Sequence, residues 1–307
     1  MDKIIVITGA TACGKTDAAI ETALLIDGEI ISADSMQVYR QMDIGTATPT
    51  IEEMRGVKHW LISEFDPDED YSVSVFCEKA NSYIKDIISR GKTPIICGGT
   101  GFYINALLYG NDFGETNMDL RTALIEFAER NGAEALFERL MDVDPKAARS
   151  MHPNNIRRVA RALDFFLTTG SRFSEHNENE KQRQPVFDAS TFILTMERQA
   201  LYNKIEQRVD LMLEKGLVTE VERLLEMGYS ETLQSMQGLG YKEIVKYLNK
   251  SFSLDEAIET LKTGTRRFAK RQGTWFRHQL NGVWLNKSEF NDTAGFANEI
   301  TKSVFHK

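Results

Sequence analysis

The fold is decided near the start of the chain, by residues 3–19, KIIVITGATACGKTDAA. The run IIVIT at 4–8 is short and rich in β-branched residues, which is typical of a buried parallel strand. Residues 15–26 then carry apolar side chains at helical spacing. Between them lies GATACGKT, Gly9–Thr16, which matches G-x-x-x-x-G-K-[ST] at every fixed position. A strand, this loop and a helix in succession predict a phosphate-binding loop.

Each part of this loop has a physical reason to bind phosphate. Gly9 and Gly14 let the backbone fold so that its N–H groups converge on an anion. The positive end of the following helix dipole and the point charge of Lys15 add to this attraction. The Thr16 hydroxyl is placed to bind Mg²⁺ or a phosphate oxygen. The candidate phosphate ligands are Gly9, Ala10, Thr11, Ala12, Cys13, Gly14, Lys15 and Thr16.

Strand patterns alternate with helical patterns along much of the chain. The segments predicted as strands are 4–8, 29–35, 59–65, 93–101 and 187–196. This alternation predicts an α/β fold whose core is a parallel sheet of the P-loop NTPase type.

The strand pattern stops after Tyr109. From about 119 to 170 the chain is predicted to be helical, and a polar stretch without a predicted element follows at 174–185. We therefore predict a helical insertion domain at 116–185. The core domain would comprise 1–115 and 186–307, with a helical C-terminal part, a short apolar patch VWLN and a polar tail.

The composition is that of an ordinary globular protein of 307 residues with a formal net charge of −8. Any contact with nucleic acid must therefore come from a local basic surface. Cys13, Cys77 and Cys97 lack metal-binding spacing, so reduced thiols are expected. The apolar start is too short for a signal peptide, and no apolar run reaches about 18 residues. We expect a cytoplasmic monomer without a membrane segment.

A second loop, ADSMQVYRQMDIGTA at 33–47, follows the next predicted strand. This position puts Asp34 at the carboxyl edge of the sheet, where open α/β folds bind ligands. An aspartate, an amide and an aromatic side chain in one loop suit recognition of a base and removal of a proton from it. The alternatives are that Asp34 caps a turn or that it serves Mg²⁺ bound at the phosphate loop.

Seven stretches of the chain together carry a family resemblance. They are GATACGKT at 9–16, ADSMQVYRQMDIGTA at 33–47, GGTGFYINALLYG at 98–110, VDPKAARSMHPNNIRRVARAL at 143–163, IEQRVDLML at 205–213, QGLGYKEI at 237–244 and RRFAKRQGTWFR at 266–277. In this order they resemble the bacterial tRNA dimethylallyltransferase family over roughly residues 3–285. The chain departs from the family at Ala10–Cys13, where Pro-Thr-Ala-Ser is more usual.

The resemblance implies a reaction in which phosphate is the leaving group. The donor would be dimethylallyl diphosphate, and its diphosphate would lie in the phosphate loop with Mg²⁺. The acceptor would be the exocyclic amine of the adenine 3′ of the anticodon, in tRNAs that read codons starting with U. Diphosphate would be released, and enzymes that modify a base usually extrude it from its stack.

The resemblance also implies roles for residues outside the phosphate loop. Asp34 would be the general base, and Thr100 would bind the same amine or the diphosphate. Thr100 can equally cap the helix that follows it. Arg208 would be a further diphosphate ligand, although its spacing alone favours a surface arginine paired with Glu206 or Asp210.

Basic residues near the C-terminus form a candidate tRNA surface. The segment Lys262–Arg277 contains no acid, and Arg267, Lys270 and Arg271 share a helix face. Trp275 and the next residue, Phe276, either pack in the core or stack on bases. With the positions that the resemblance adds, the candidate tRNA contacts are Asp34, Ser35, Met36, Gln37, Thr100, Arg121, Arg157, Arg158, Val159, Ala160, Arg161, Gln237, Gly238, Leu239, Gly240, Tyr241, Lys242, Arg266, Arg267, Lys270 and Arg271.

Three other classes of protein stay open on the residues alone. One is a related adenylate-type prenyltransferase that acts on free nucleotides, which would need neither an insertion of basic helices nor a basic C-terminal helix. The phosphate loop also fits a kinase or NTPase that acts on a small molecule, and such a protein would transfer or release the γ-phosphate of ATP. The basic helix also fits an RNA-binding protein that is not an enzyme. In that class, substitution of Lys15 would leave all activity unchanged.

Overall fold

The structure is a computed structural model that describes residues 1–110, 117–290 and 292–305. It divides into two compact units. Met1–Leu108 and Val186–Lys307 form the first, and Tyr109–Pro185 forms the second. The predicted boundary between residues 115 and 116 lies outside the described residues.

The first unit is built on a parallel sheet. The strands, numbered in chain order, are β1 (Lys3–Gly9), β2 (Gly28–Ser32), β3 (His59–Trp60), β4 (Thr93–Gly98), β5 (Asp188–Thr195) and β6 (Val283–Asn286). Their order across the sheet is β3-β2-β4-β1-β5-β6, and each neighbouring pair is parallel. In the central strand β1, Ile5 pairs with Ile95 on one side and Ser190 on the other. The predicted α/β fold class is confirmed.

The first unit also contains helices. They are α1 (Lys15–Ile26), α2 (Ile51–Met54), α3 (Val73–Ser89), α4 (Gly101–Tyr109), α10 (Arg198–Glu214), α11 (Leu217–Glu226), α12 (Tyr241–Leu248), α13 (Leu254–Gln279) and α14 (Thr293–Phe305). The longest of these, α13, begins with a capping box in which the side chains of Ser253 and Glu256 each accept a hydrogen bond from the other residue's backbone N–H. No helix in the described ranges is long and apolar enough to cross a membrane.

The second unit is helical throughout its described part. It contains α5 (Met118–Asn131), α6 (Ala133–Val143), α7 (Pro145–Arg149), α8 (Ile156–Thr169) and α9 (Phe173–Lys181). Its core is formed by one side of α8, with Val159 and Leu163, packed against Leu136 and Leu140 of α6. The helix α8 is strongly amphipathic, which is why its helical pattern was clear in the sequence.

Four segments differ from the sequence predictions. The strand predicted at 59–65 is only two residues long, and the chain turns at Leu61 and Ser63, which have positive φ. The polar stretch at 174–185, for which no element was predicted, contains most of α9. The patch VWLN is the edge strand β6, and the polar tail contains α14, whose Phe296 and Ile300 are buried in the core cluster that includes part of α1. The polar sequences of α9 and α14 hide their helical pattern because only one side of each helix is buried.

The sheet places the chemistry-bearing segments together. Because parallel strands all end at the same edge, the segments after β1, β2 and β4 emerge side by side. These segments are the loop that begins at Gly9, the loop that contains Asp34 and the turn that contains Thr100.

Candidate active site

The phosphate loop, Gly9–Thr16, joins β1 to α1, and its geometry requires both fixed glycines. A Cβ atom at Gly9 would lie 2.5 Å from the carbonyl oxygen of Leu194 and 2.7 Å from Sγ of Cys13. Gly14 is the N-cap of α1 and has a φ of 88°, in the left-handed region that glycine adopts without strain. A side chain at either position would therefore distort the turn from strand to helix.

The buried side chain of Cys13 packs against this loop. Its side chain is 1% exposed, and burial raises the pKa of the thiol, although nearby Lys15 opposes the shift. Its backbone N–H donates to the carbonyl oxygen of Ala10 at 3.3 Å. The thiol is therefore a neutral packing group, and the serine hydroxyl that is more usual in the resembled family has no exposed equivalent here.

One cavity of about 60 Å³ brings together residues predicted for catalysis, for phosphate binding and for tRNA recognition. The predicted residues in its lining are Thr11, Lys15, Thr16, Asp34, Gln37 and Arg208. Apolar side chains of Ile30, Ile62 and Phe268 complete part of the wall. The cavity thus combines polar groups at the sheet edge with a hydrocarbon surface.

The cavity holds two cations and too few acids to neutralise them. Lys15 and Arg208 form no ion pair within the part of the chain that the structure describes, and Asp34 is the only acidic residue in the lining. The Arg208 guanidinium donates to the carbonyl oxygen of Thr46 at 3.3 Å. Burial lowers the pKa of Arg208, and Asp34 opposes this shift. Partly desolvated cations in this number favour a multiply charged anion.

The alternative that Arg208 is a surface residue paired with an acid of its own helix is wrong. Its two acidic neighbours on α10 pair instead with α13: Asp210 with Lys262 at 2.6 Å, and Glu206 with Arg266. These two ion pairs hold α10 against α13 and leave Arg208 directed into the cavity lining.

Asp34 caps a turn and lines the cavity at the same time. Its Oδ1 accepts hydrogen bonds from the backbone N–H groups of Met36 at 2.9 Å and Gln37 at 3.4 Å. Its Oδ2 accepts no hydrogen bond from any described residue. The turn-capping role that the sequence left open therefore occupies one oxygen and leaves the other for a ligand.

Thr100 connects the turn after β4 to the Asp34 loop. Its Oγ1 accepts a hydrogen bond from the backbone N–H of Ser35 at 3.2 Å, and its own N–H donates to the carbonyl oxygen of Ala33 at 3.1 Å. These bonds fix the carboxylate-bearing loop against β4. A direct contact of Thr100 with an amine or a phosphate stays a prediction.

The far half of the second loop is held by a carboxylate that sequence reasoning missed. Glu220, on α11, accepts hydrogen bonds from the backbone N–H groups of Asp43 at 3.0 Å, Ile44 at 2.8 Å and Gly45 at 3.0 Å. It also accepts from the hydroxyl of Tyr241 at 2.7 Å. Glu220 is 5% exposed, so this network is a buried anchor. Nothing in the local sequence distinguished Glu220 from the other acids of its helix.

A second missed anchor is Gln272, on α13. Its Oε1 accepts from the backbone N–H of Thr11 at 2.8 Å, and its Nε2 donates to the carbonyl oxygen of Gly99 at 2.8 Å. One buried amide therefore ties the phosphate loop to the glycine turn after β4. In the sequence, Gln272 stood out only as a neutral residue among basic ones.

The chain matches known families over nearly its whole length. The IPP transferase profile matches residues 37–279, and the isopentenyl transferase profile matches residues 2–69. The tRNA dimethylallyltransferase of Acetivibrio thermocellus is 53% identical over 293 residues, which are 95% of this chain and 94% of that protein. This chain belongs to the tRNA dimethylallyltransferase family. The resemblance predicted from the motifs is confirmed, and the chain is a prenyltransferase by membership.

Solved structures of tRNA dimethylallyltransferases and their relatives agree. The crystal structure of the tRNA isopentenylpyrophosphate transferase of Staphylococcus epidermidis is 42% identical, with a TM-score of 0.75 over 100% of both chains. A eukaryotic dimethylallyltransferase described as acting on tRNA is 28% identical, with a TM-score of 0.83 over 100% of this chain and 80% of that one.

The basic residues of α13 in this tRNA dimethylallyltransferase family member fall into two groups. Lys262 and Arg266 are neutralised, since Asp210 pairs with the first and Glu206 and Glu259 with the second. This removes Arg266 from the free cations predicted to contact tRNA. Arg267, Lys270 and Arg271 are exposed and form no ion pair with a described residue. The sequence did not reveal these ion pairs, because the segment Lys262–Arg277 contains no acid. The acidic partners come from α10 and from the first half of α13.

The predicted contact loop 237–242 is partly buried. Gln237 is exposed, Gly238, Leu239 and Lys242 are intermediate, and Gly240 and Tyr241 are buried. The ring of Tyr241 packs against Gly45, where a Cβ atom would lie 2.6 Å from it. Burial removes Gly240 and Tyr241 from the candidate tRNA contacts and gives Tyr241 a role in holding the second loop.

The predicted contacts in the helical unit divide in the same way. Arg157 and Arg158 are exposed, whereas Val159 and Ala160 are 0% exposed in its core and cannot touch a ligand. Arg121 pairs with the buried Asp164 at 2.7 Å. Arg161 is partly buried, and burial together with the charges of Arg121 and Arg158 lowers its pKa.

Proposed function

We propose that this protein transfers the dimethylallyl group of dimethylallyl diphosphate to the exocyclic amine of the adenine 3′ of the anticodon, in tRNAs that read codons starting with U. The observation that carries the proposal is the cavity lined by Lys15, Arg208 and Asp34, in which neither cation forms an ion pair with a described residue. Family membership supplies the class of reaction, and the cavity supplies groups for each of its steps.

The leaving diphosphate would lie in the phosphate loop. Negative charge grows on its bridging oxygen as the bond to the prenyl carbon breaks, and cations fixed nearby stabilise that charge. Lys15 and Arg208 are fixed in this way, because each belongs to a helix packed in the core. The apolar wall that contains Ile30, Ile62 and Phe268 suits the prenyl chain.

The attacking amine would give up its proton to Asp34. An exocyclic amine of adenine is a weak nucleophile, so removal of a proton as the new bond forms speeds the transfer. Oδ1 of Asp34 is held by two backbone N–H groups, which fix the carboxylate, and Oδ2 is the oxygen available to accept the proton.

Mg²⁺ is part of this proposal. The Thr16 hydroxyl lines the cavity and makes no hydrogen bond within the described residues, so it can coordinate a cation. No cluster of three or more His, Cys, Asp or Glu in the described residues could hold a metal alone. Mg²⁺ would therefore be held by Thr16 and the substrate's diphosphate oxygens, as is usual for this ion. It would supply further neutralisation of the leaving group.

The tRNA would be bound by the exposed cations. In the first unit these are Arg267, Lys270 and Arg271, and in the helical unit Arg157 and Arg158. Contacts of this kind bind phosphates whatever the sequence and weaken as salt rises. The adenine would leave the anticodon loop to reach Asp34, at a cost of a few kcal/mol that is smaller in a single-stranded loop.

One experiment tests the function directly. The protein is incubated with dimethylallyl diphosphate labelled in the prenyl group, Mg²⁺ and an unmodified tRNA transcript, and the label is mapped by nuclease digestion and mass spectrometry. We expect label on the adenine 3′ of the anticodon, and none on a matched transcript with guanine there. Absence of label from tRNA, or transfer of the γ-phosphate of ATP instead, would overturn the proposal.

A further inference from the structure

The turn after the edge strand β6 brings a lysine to the phosphate loop. Lys287 follows β6 directly, and the side chain of Asn286 fixes this turn by accepting a hydrogen bond from the backbone N–H of Ser288 at 3.2 Å. A Cβ atom at Gly14 would lie 2.9 Å from Nζ of Lys287. The ammonium group of Lys287 therefore packs against the backbone of the phosphate loop, although it comes from the other end of the chain.

Lys287 has no counter-ion in the part of the chain that the structure describes. It is only partly exposed, and burial lowers its pKa. The charge of Lys204 and a side-chain hydrogen bond with Lys204 lower this pKa further, whereas Asp17 opposes the shift without forming an ion pair with Lys287. An ammonium group has three hydrogen-bond donors and no acceptor, so two such groups in contact favour an anion placed between them.

Lys204 belongs to the side of α10 that carries Arg208. The two residues are one helical turn apart, and Arg208 lines the cavity of the candidate active site. Lys204 is exposed and forms no ion pair within the described ranges, since the nearby acid Glu206 pairs with Arg266. We call Lys204 and Lys287 the lysine pair. Neither of them lines the cavity, so they extend its positive charge beyond the phosphate loop.

The order of the strands places Lys287 and Asp34 on opposite sides of the phosphate loop. The loop follows β1, Asp34 lies just after β2, and Lys287 follows β6. In the order β3-β2-β4-β1-β5-β6, the strands β2 and β6 lie two positions from β1 in opposite directions. A prenyl diphosphate bound in the loop with its reacting carbon towards Asp34 would therefore extend its terminal phosphate towards Lys287.

We infer that the lysine pair binds the terminal phosphate of the prenyl diphosphate, which is the phosphate farther from the reacting carbon. This inference rests on the proposed function for its ligand and adds Lys204 and Lys287 to the residues that hold it. Lys287 would close the loop at Gly14, on the side away from the cavity that contains Asp34.

The lysine pair should act on binding and not on the chemical step. The terminal phosphate is negatively charged before and after the bond to the prenyl carbon breaks. A contact with this phosphate therefore stabilises the bound donor and the transition state alike, which lowers KM and leaves kcat nearly unchanged. Lys15 differs, because it lies in the cavity where new negative charge develops.

Affinity for inorganic diphosphate is the first test, and calorimetry measures it without any transfer reaction. We expect Lys287→Ala to weaken binding roughly tenfold, as loss of one charge-assisted hydrogen bond does. Lys287→Arg should restore most of the affinity. Lys302→Ala, which changes an exposed lysine of α14, is the matched control and should bind as the wild type does. Wild-type affinity in Lys287→Ala, or an equal loss in Lys302→Ala, would overturn the inference. If thermal unfolding shows that the alanine variant is unfolded, Lys287→Met keeps the aliphatic stem and replaces it.

Dimethylallyl monophosphate identifies which phosphate the lysine pair binds. This probe lacks the terminal phosphate, and its affinity is measured by competition with labelled dimethylallyl diphosphate in equilibrium dialysis. We expect Lys287→Ala to leave the affinity for the monophosphate within about twofold of the wild type while the affinity for the diphosphate falls. Equal losses for the two probes would show that Lys287 only shapes the loop or contacts the inner phosphate.

Kinetics and RNA binding complete the test. In the transfer assay, Lys287→Ala should raise KM for the donor roughly tenfold and keep the single-turnover rate at saturating donor within about twofold. An unmodified anticodon stem-loop should bind this variant with wild-type affinity. Loss of stem-loop affinity with unchanged diphosphate affinity would assign the lysine pair to RNA instead. Because diphosphate binding is measured without transfer, failure of this inference and failure of the proposed reaction would be told apart.

Discussion

The phosphate loop and the Asp34 loop border the same cavity but are held in different ways. The first is shaped chiefly by its own residues, since Gly9 and Gly14 allow its turn and Cys13 packs beneath it. The second is shaped largely from a distance, because Glu220 accepts hydrogen bonds from its backbone at Asp43, Ile44 and Gly45.

This difference decides what each loop reveals in the sequence. A loop that carries its own constraints has a short motif, and its chemistry can be predicted from a few adjacent residues. A loop held by a remote buried carboxylate has no such motif, because the anchor lies about 175 residues away. The reacting base and its scaffold are therefore separate in sequence, and substitutions can test each.

Removal of the carboxylate from the second loop should have the largest effect. We expect Asp34→Ala to lower turnover at least a hundredfold, the usual contribution of a general base. Affinity for dimethylallyl diphosphate should persist, because Lys15 and Arg208 remain. Single-turnover transfer of labelled prenyl group to tRNA measures the rate, and calorimetry measures donor binding.

Asp43→Ala is the control for this prediction. Asp43 lies in the same loop, is exposed, and gives its backbone N–H rather than its side chain to Glu220. Its substitution should leave turnover within about twofold of the wild type. If Asp34→Ala retained wild-type turnover, the carboxylate would have no part in proton removal.

Substitution within the phosphate loop should have the next largest effect. We expect Lys15→Ala to lower kcat/KM roughly a hundredfold, because removal of a cation from a developing negative charge costs this much. Unlike Asp34→Ala, it should also weaken binding of the donor, measured by titration. Lys85→Ala, an exposed lysine of α3, is the matched control. Equal donor affinity in Lys15→Ala and the control would remove the loop from the diphosphate site.

Loss of the remote anchor should show how far the second loop depends on it. Glu220→Gln keeps the size of the side chain but replaces one carboxylate oxygen with an NH₂ group. This group cannot accept a hydrogen bond from the backbone N–H groups that the oxygen bound. We expect unfolding free energy to fall by about 3 kcal/mol and turnover by about tenfold, since unpaired buried donors are costly and the Asp34 loop would loosen. Thermal unfolding and the transfer assay measure both.

Glu222→Gln provides the comparison for the anchor. Glu222 lies on the same helix, is exposed and makes no hydrogen bond or ion pair with a described residue, so its substitution should change stability by less than about 0.5 kcal/mol. Equal stability of the two variants would mean that the second loop holds its shape without Glu220.

The sequence predicted most of the fold and several of the groups that line the cavity. These predictions succeeded where one short motif determines both the local structure and its chemistry. The phosphate loop, Asp34 and, through the family resemblance, Arg208 are examples. Asp34, Arg208 and three residues of the loop line one cavity. The sequence predictions failed where a property depends on long-range packing. Arg266 looked free because its partner Glu206 lies on another helix, and Tyr241 looked like a contact although it is buried.

The same reason explains the elements that were missed. The helix α9 and the tail helix α14 carry too many polar residues for a clear pattern, and each is stabilised by one apolar side against its own unit. The strand β6 is only four residues long and pairs with β5 alone. Short or one-sided elements gain their stability from neighbours, which a single sequence does not display.

The smallest expected effect tests whether the phosphate loop is as independent as the comparison states. Gln272 is a remote anchor of this loop, with bonds to Thr11 and Gly99. Gln272→Leu should weaken donor binding about threefold and change turnover little, because the glycines and Lys15 still form the loop. The N–H of Thr11 would lose its partner and lower stability by about 1–2 kcal/mol, whereas the carbonyl oxygen of Gly99 would keep its bond from the N–H of Gly101. Gln207→Leu, on the exposed side of α10, serves as the control. If Gln272→Leu abolished donor binding while the protein stayed folded, the phosphate loop would depend on remote packing as much as the Asp34 loop does, and the distinction between the two would fail.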